Sequence, residues 1–77
     1  MTEREKKKCK ELVKEAKSHL AVSKICFEEA ESSKSLTRIE IKELQGQSNL
    51  GYAQGIIQAL VLIGFKDPEL ESLCKEL

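Results

Sequence analysis

Apolar and small residues recur every three or four positions along the first part of the chain. This spacing places them on one face of an α-helix, in the alternation used by helices that pack along their length. Thr2 and Glu5 have the spacing of a capping box, so a first helix is predicted over residues 3–32. Its apolar seam consists of Cys9, Val13, Ala16, Leu20, Ser23, Phe27 and Ala30.

A polar break at residues 32–35 separates this helix from a second helical pattern. Thr37 and Glu40 repeat the capping-box spacing, and Leu36 and Ile41 occupy the two positions of a hydrophobic staple. The sequence therefore predicts that helix 2 restarts close to Thr37.

Helix 2 is predicted over residues 38–63, with Gly64 as its C-terminal cap. The stretch 45–49 is polar and contains poor helix formers. Whether helix 2 is continuous through that stretch, or kinks or frays there, stays open.

Asp67 and Pro68 predict a third helix over residues 68–77, because Asp is a favoured N-cap and Pro is favoured at the first helical position. One apolar stripe follows, made of Leu70, Leu73, Cys74 and Leu77. The chain of 77 residues is thus predicted to be one all-α domain. Its architecture is a long antiparallel helical hairpin with a short third helix.

A short connection between two long helices favours antiparallel packing. Residue i of helix 1 then lies near residue 68 − i of helix 2, roughly. In this register Ala16 and Ser23 face the region of Gly51 and Ser48, small residues against small residues. The register also brings Lys6, Lys7, Lys8 and Lys10 towards Asp67, Glu69 and Glu71, and Glu28, Glu29 and Glu31 towards Arg38 and Lys42.

The C-terminal half of helix 2 is apolar around almost its whole circumference, from Ile56 to Ile63, with only Gln58 as a strong exception. A helix that is apolar on all sides is expected to be buried on all sides. Helices 1 and 3 can cover two sides, so we expect a homo-oligomeric bundle with helix 2 at its centre. The candidate interface residues are Ile56, Ile57, Leu60, Val61 and Phe65.

Two glycines four residues apart lie inside helix 2, although each costs about 1 kcal/mol relative to alanine. Glycine allows another backbone or a ligand to come close, and several amide side chains lie beside these two. The candidate ligand-binding residues are Ser48, Asn49, Gly51, Tyr52 and Gly55. Helix packing is the alternative explanation for the same glycines.

The sequence contains no pattern that predicts catalysis, a metal site or a cofactor. His19 and Cys26 are about 10.5 Å apart along a helix, too far to share one zinc ion. The three cysteines are widely spaced, which favours buried thiols in a reducing compartment over a disulfide framework. An enzyme is therefore not expected.

The net charge is zero, but residues 1–24 carry +4 and residues 25–77 carry −4. Glutamates at positions 3, 5, 11 and 15 dilute the N-terminal lysines, which also lack aromatic neighbours, and this argues against nucleic-acid binding. The sequence begins without a signal peptide, and its longest apolar run is too short to span a membrane. A cytoplasmic protein is expected.

These observations favour a non-enzymatic homo-oligomeric binding protein that occludes or sequesters a protein partner, as regulators and phage-type inhibitors do. The alternative is a helical bundle that holds a small polar molecule, such as a nucleotide, between subunits. The sequence leaves open the identity of the partner, the number of subunits, and whether helices 1 and 2 pair within one chain or between chains.

Overall fold

The computed structural model describes residues 1–76, which form three helices: α1 (Glu3–Ser32), α2 (Leu36–Leu62) and α3 (Pro68–Glu76). The all-helical hairpin predicted from the sequence is confirmed in these residues. The two long helices pack antiparallel in a body of 50 × 19 × 16 Å. Leu77, predicted as the last member of the third apolar stripe, lies outside the described residues.

The capping box at the start of α1 is present as predicted. The Thr2 hydroxyl accepts a hydrogen bond from the Glu5 backbone N–H, and the Glu5 carboxylate accepts one from the Thr2 N–H, both at 3.2 Å. Hydrogen bonding of the Glu5 carboxylate by the Thr2 side chain, and then by the Thr2 backbone N–H, favours the ionised form and lowers the pKa of Glu5. Most of the predicted seam is buried, and Phe27 is half-buried beside it.

The predicted start of α2 is wrong. Ser35, rather than Thr37, is the N-cap, and its hydroxyl accepts a hydrogen bond from the Arg38 N–H at 3.4 Å. The helix begins at Leu36, so Leu36 belongs to the first turn and cannot form the predicted staple with Ile41. Both side chains are exposed. Starting two residues earlier shortens the connection between the long helices to Ser33–Ser35.

α2 is a single helix through residues 45–49. It ends in a Schellman motif, in which two nested backbone hydrogen bonds close the last turn. The Phe65 N–H donates to the Leu60 carbonyl at 3.0 Å, and the Gly64 N–H donates to the Val61 carbonyl at 3.1 Å. Gly64 has φ +80°, a conformation that favours glycine. The predicted cap is confirmed, and it directs Phe65 into the core.

α3 is capped as predicted, because the Asp67 carboxylate accepts hydrogen bonds from the N–H groups of Glu69 and Leu70 at 3.1 and 3.2 Å. The helix folds back along the hairpin and buries Leu70 and Leu73. Cys74 is exposed, contrary to its predicted place in the apolar stripe.

One core joins the three helices. It consists of Cys9, Val13, Ala16, Leu20, Ala53, Ile57, Leu60, Phe65, Leu70 and Leu73. The predicted antiparallel register agrees with two cross-helix hydrogen bonds, His19 to Asn49 at 2.8 Å and Ser23 to the Gly46 carbonyl at 2.9 Å.

The glycine at the close approach of the two helices is not the one predicted. A Cβ atom at Gly46 would lie 2.9 Å from Cζ of Phe27, whereas a Cβ atom at Gly51 or Gly55 would meet nothing within 4 Å. Ser48 and Gly51 are exposed. They are therefore not opposite Ala16 and Ser23, because they lie on the side of α2 that faces away from α1.

The charge pairing predicted at the open end of the hairpin is not formed by the N-terminal lysines. Glu69 pairs with Lys17 at 3.2 Å, since α3 folds back past the first turns of α1, and Lys6 pairs with Glu3. At the other end Glu29 pairs with Lys42 at 3.1 Å, in agreement with the predicted register.

Alanine substitutions at the helical glycines are expected to distinguish the effect of close packing on stability from the effect of helix propensity. Gly51→Ala and Gly55→Ala should each stabilise the dilute monomer by about 1 kcal/mol. Gly46→Ala forces the Phe27 ring to move. The free energy of unfolding of the Gly46→Ala variant should therefore be lower than that of the Gly51→Ala variant by about 1–3 kcal/mol. Urea denaturation of the three variants measures this order, and equal gains at all three positions would contradict the Gly46–Phe27 contact.

Gly64→Ala is expected to destabilise the protein by about 1 kcal/mol, because alanine must adopt a left-handed backbone conformation there. Gly55→Ala, which also adds one methyl group but within the helix, is the matched control and should act in the opposite direction. Thermal unfolding followed by circular dichroism compares the two variants.

Candidate functional site

The five candidate ligand-binding residues do not form one site. Asn49 and Tyr52 turn towards α1, where each makes a hydrogen bond to a side chain of that helix. Ser48, Gly51 and Gly55 are exposed on the side of α2 that faces away from α1. The structure thus separates the amide and phenol groups from the two glycines.

Asn49 and Tyr52 belong to a polar network that joins the long helices. The Asn49 amide donates to the Gln45 carbonyl at 2.8 Å, so its oxygen accepts a hydrogen bond from Nδ1 of His19 at 2.8 Å. The rings of His19 and Tyr52 lie against each other with centroids 4.2 Å apart. The Tyr52 hydroxyl donates to Glu15 at 3.0 Å.

The hydrogen bond to Glu15, followed by the negative charge of that carboxylate, raises the pKa of Tyr52. Both effects favour the neutral phenol, which donates the bond. A ligand that used Tyr52 or Asn49 would first have to break these contacts with Glu15 or His19. The network therefore acts as a connection between α1 and α2.

The candidate interface residues are divided between the core and the surface. Ile57, Leu60 and Phe65 are buried in the core of the single chain, and Ile56 is half-buried against it. Their side chains are consequently used within the hairpin and leave little area for a second subunit. Of the five residues, Val61 alone is exposed, at 53%.

The exposed apolar surface of α2 extends much further along the helix than the predicted girdle. Leu44 and Leu62 are 66% and 86% exposed on the side away from α1. Seven residues with alternating three- and four-residue spacing form a continuous line on this side, which we call the outer stripe. It consists of Ile41, Leu44, Ser48, Gly51, Gly55, Gln58 and Leu62, and all seven are exposed.

No charged residue occurs in the 22 residues from Leu44 to Phe65. The outer stripe is therefore exposed and almost entirely free of charge, whereas exposed helix faces are usually charged. This uncharged run was available in the sequence, but it could not be assigned to a surface until the inner face of α2 was known.

An open groove of about 580 Å³ lies between α2 and α3, next to the outer stripe. It is lined by Gln54, Ile57, Gln58, Val61, Leu62 and Cys74. Cys74 is the exposed thiol of the chain, while Cys9 and Cys26 are buried. Two glutamine side chains and the Cys74 thiol share the lining of this groove with three aliphatic side chains.

Within residues 1–76, no three His, Cys, Asp or Glu side chains are placed so that they could hold a metal ion. None of the three described helices combines the length and the apolar composition that crossing a membrane requires. Comparisons of the chain with protein-family models, with curated proteins and with solved structures give no match.

The pKa of Tyr52 is expected to fall towards its ordinary value in Glu15→Gln, because the charged hydrogen-bond acceptor is lost. Tyr52 is the only tyrosine and the chain has no tryptophan, so the absorbance of tyrosinate during an alkaline titration reports this residue alone. Glu11→Gln, which removes a glutamate one turn away, is the matched control and should leave the titration unchanged.

The sign of the accompanying stability change follows from the raised pKa. The Tyr52–Glu15 contact stabilises the fold at pH values below the pKa that Tyr52 has in the unfolded chain. This stabilisation is lost as the pH rises through the pKa that Tyr52 has in the folded protein. The stability difference between the wild type and Glu15→Gln should therefore narrow at alkaline pH. A constant difference across that range would contradict the role of this hydrogen bond.

Proposed function

We propose that the chain is a non-enzymatic homo-oligomeric binding protein that acts by occluding or sequestering a protein partner. The observation that carries this proposal is the outer stripe, an exposed, uncharged line of residues along most of α2. A helix face of this kind favours association with another apolar surface.

The energetics of the outer stripe support association. Burial of a large aliphatic side chain contributes about 1.5–3 kcal/mol, and Leu44 and Leu62 are both largely exposed. Gly51 and Gly55 each lower helix stability by about 1 kcal/mol relative to alanine and make no close contact within the chain. A second backbone packed against the stripe would use the space that the missing Cβ atoms leave.

The size of the chain points in the same direction. A domain of about 60 residues buries only about 60% of its unfolded surface, and this chain of 77 residues is drawn out into a body only 19 × 16 Å across. Chains with so small a core often gain stability by oligomerisation. Assembly through α2 would bury the uncharged surface and leave the charged surface of α1 in water.

Assembly through α2 also leaves a surface for a partner protein. The outer side of α1 exposes Val22 and Ile25 among its charged residues. A binding protein that occludes its partner needs such a surface and no reaction centre. We therefore assign oligomerisation to α2 and partner binding to α1.

A small polar ligand held between subunits is the second candidate function. It is favoured by the open space beside Gly51 and Gly55, with the Ser48 hydroxyl close by on the same face. Asn49 and Tyr52 would contribute only by leaving His19 and Glu15. A retained ligand would add its mass to each assembly in native mass spectrometry of the freshly purified protein.

Leu62→Glu is expected to dissociate the oligomer, because it places a charge at the end of the outer stripe. Leu36→Glu is the matched control, since Leu36 is also largely exposed, at 78% against 86% for Leu62, and lies on α2 outside the stripe. Native mass spectrometry should show an oligomer for the wild type and Leu36→Glu and a monomer for Leu62→Glu. Circular dichroism should show the same helix content for all three.

A wild-type protein that remains monomeric at all concentrations would contradict the proposed function. So would a Leu62→Glu variant that keeps the mass of the wild-type assembly. A partner retained by the wild type but lost by Val22→Glu, with the oligomer intact, would support the assignment of partner binding to α1.

A further inference from the structure

We infer that the outer stripe binds a second copy of the same chain, with the two α2 helices antiparallel about a two-fold axis level with residue 53. This inference rests on the homo-oligomer of the proposed function and specifies the geometry of its interface. Three features of the stripe carry it: the symmetry of its residues, the pairing of their side chains and the charges at its ends.

Six of the seven stripe residues are arranged symmetrically about residue 53. Leu44 and Leu62 are each nine residues from this position, Ser48 and Gln58 are each five residues away, and Gly51 and Gly55 are each two residues away. In a two-fold interface, residue i of one copy contacts residue j of the other, and residue j contacts residue i. An antiparallel pair therefore places each of these six residues opposite its symmetric counterpart, while Ile41 has no counterpart in the stripe.

The side chains that meet in this arrangement are chemically matched. Gly51 lies opposite Gly55 of the second copy at the centre, where two helices without Cβ atoms can approach closely. The Ser48 hydroxyl lies opposite the Gln58 amide, and these groups can exchange hydrogen bonds. Leu44 lies opposite Leu62 at each end, so that large apolar residues flank the close central contact.

The charges beyond the stripe select the antiparallel orientation. Glu40 and Lys66 are both exposed; Lys66 directly follows the uncharged run of residues 44–65, and Glu40 lies one turn before it, beyond Lys42 and Glu43. An antiparallel pair brings the N-terminal part of one α2, which carries Glu40, to the C-terminal end of the other, and Lys66 lies just beyond that end. A parallel pair would instead place Glu40 beside Glu40 and Lys66 beside Lys66. Like charges repel and opposite charges attract, so the charges disfavour the parallel pair.

Cysteine cross-linking tests the orientation directly in a Cys74→Ser background, which removes the exposed native thiol. Ser48→Cys and Gln58→Cys are prepared separately and then mixed under oxidising conditions. In the antiparallel pair the two positions face each other, whereas two copies of Ser48→Cys are separated by about 15 Å along the helix axis. A disulfide needs Cα atoms about 4.4–6.8 Å apart.

The expected result is a cross-linked dimer in the mixture and little cross-linking of either variant alone. Cross-linking of Ser48→Cys with itself would overturn the inference and indicate a parallel pair. If no cross-link forms although native mass spectrometry shows an oligomer, this geometry is wrong but the proposed function stands. If the protein is monomeric, the proposed function fails as well.

A charge exchange gives an independent measurement. Glu40→Lys and Lys66→Glu should each weaken dimerisation by about two- to five-fold at low salt. The double variant should recover the wild-type dissociation constant in sedimentation equilibrium. Within one chain Glu40 lies near the start of α2 and Lys66 lies beyond its C-terminal end, so recovery requires a contact between copies, and absence of recovery would contradict the pairing.

Discussion

The structure depends on a difference between its two long helices: α1 is amphipathic, and the C-terminal half of α2 is apolar on almost every side. α1 has one apolar seam, which α2 and α3 cover, and a largely charged outer surface that also exposes Val22 and Ile25. α2 packs against that seam and against α3, yet still exposes Leu44, Val61, Leu62 and Ile63. The fold of one chain therefore covers the apolar seam of α1 but leaves much of the apolar surface of α2 exposed.

The register of the hairpin follows from a few contacts between polar and small groups. Ser23 is buried and bonds to the Gly46 carbonyl, while the Phe27 ring occupies the space above Gly46. One and two turns away, His19 bonds to Asn49 and Tyr52 bonds to Glu15. An apolar seam alone would tolerate a slip by one heptad, but a slip would leave Ser23 buried without a partner, which is costly.

Much of this architecture can be predicted from the sequence because it depends on local signals. The capping box at Thr2, the cap at Asp67 and the glycine cap at residue 64 each involve groups within a few residues of one another. The start of α2 was mistaken because Ser35 and Thr37 are both acceptable caps, and the loop geometry rather than the local pattern decides between them.

The assignment of glycines to surfaces could not be predicted, because it requires the rotation of α2 about its own axis. Gly46, Gly51 and Gly55 look alike in the sequence, but one lies under Phe27 and two face outwards. Similarly, the apolar girdle could not be divided into core and surface before the positions of α1 and α3 were known. The candidate site consequently separated into an inner polar network and an outer stripe.

These two parts of α2 are related physically. Because Asn49 and Tyr52 are held by hydrogen bonds to α1 and to the adjacent turn, their side chains are turned away from Gly51 and Gly55. The outer stripe is left flat at its centre, with side chains no larger than a hydroxymethyl group from Ser48 to Gly55. The same hydrogen bonds that fix the hairpin register thus expose a strip of backbone. In a protein that acts alone such a strip would only lower helix stability, and this is the physical reason to assign it to an interface between copies.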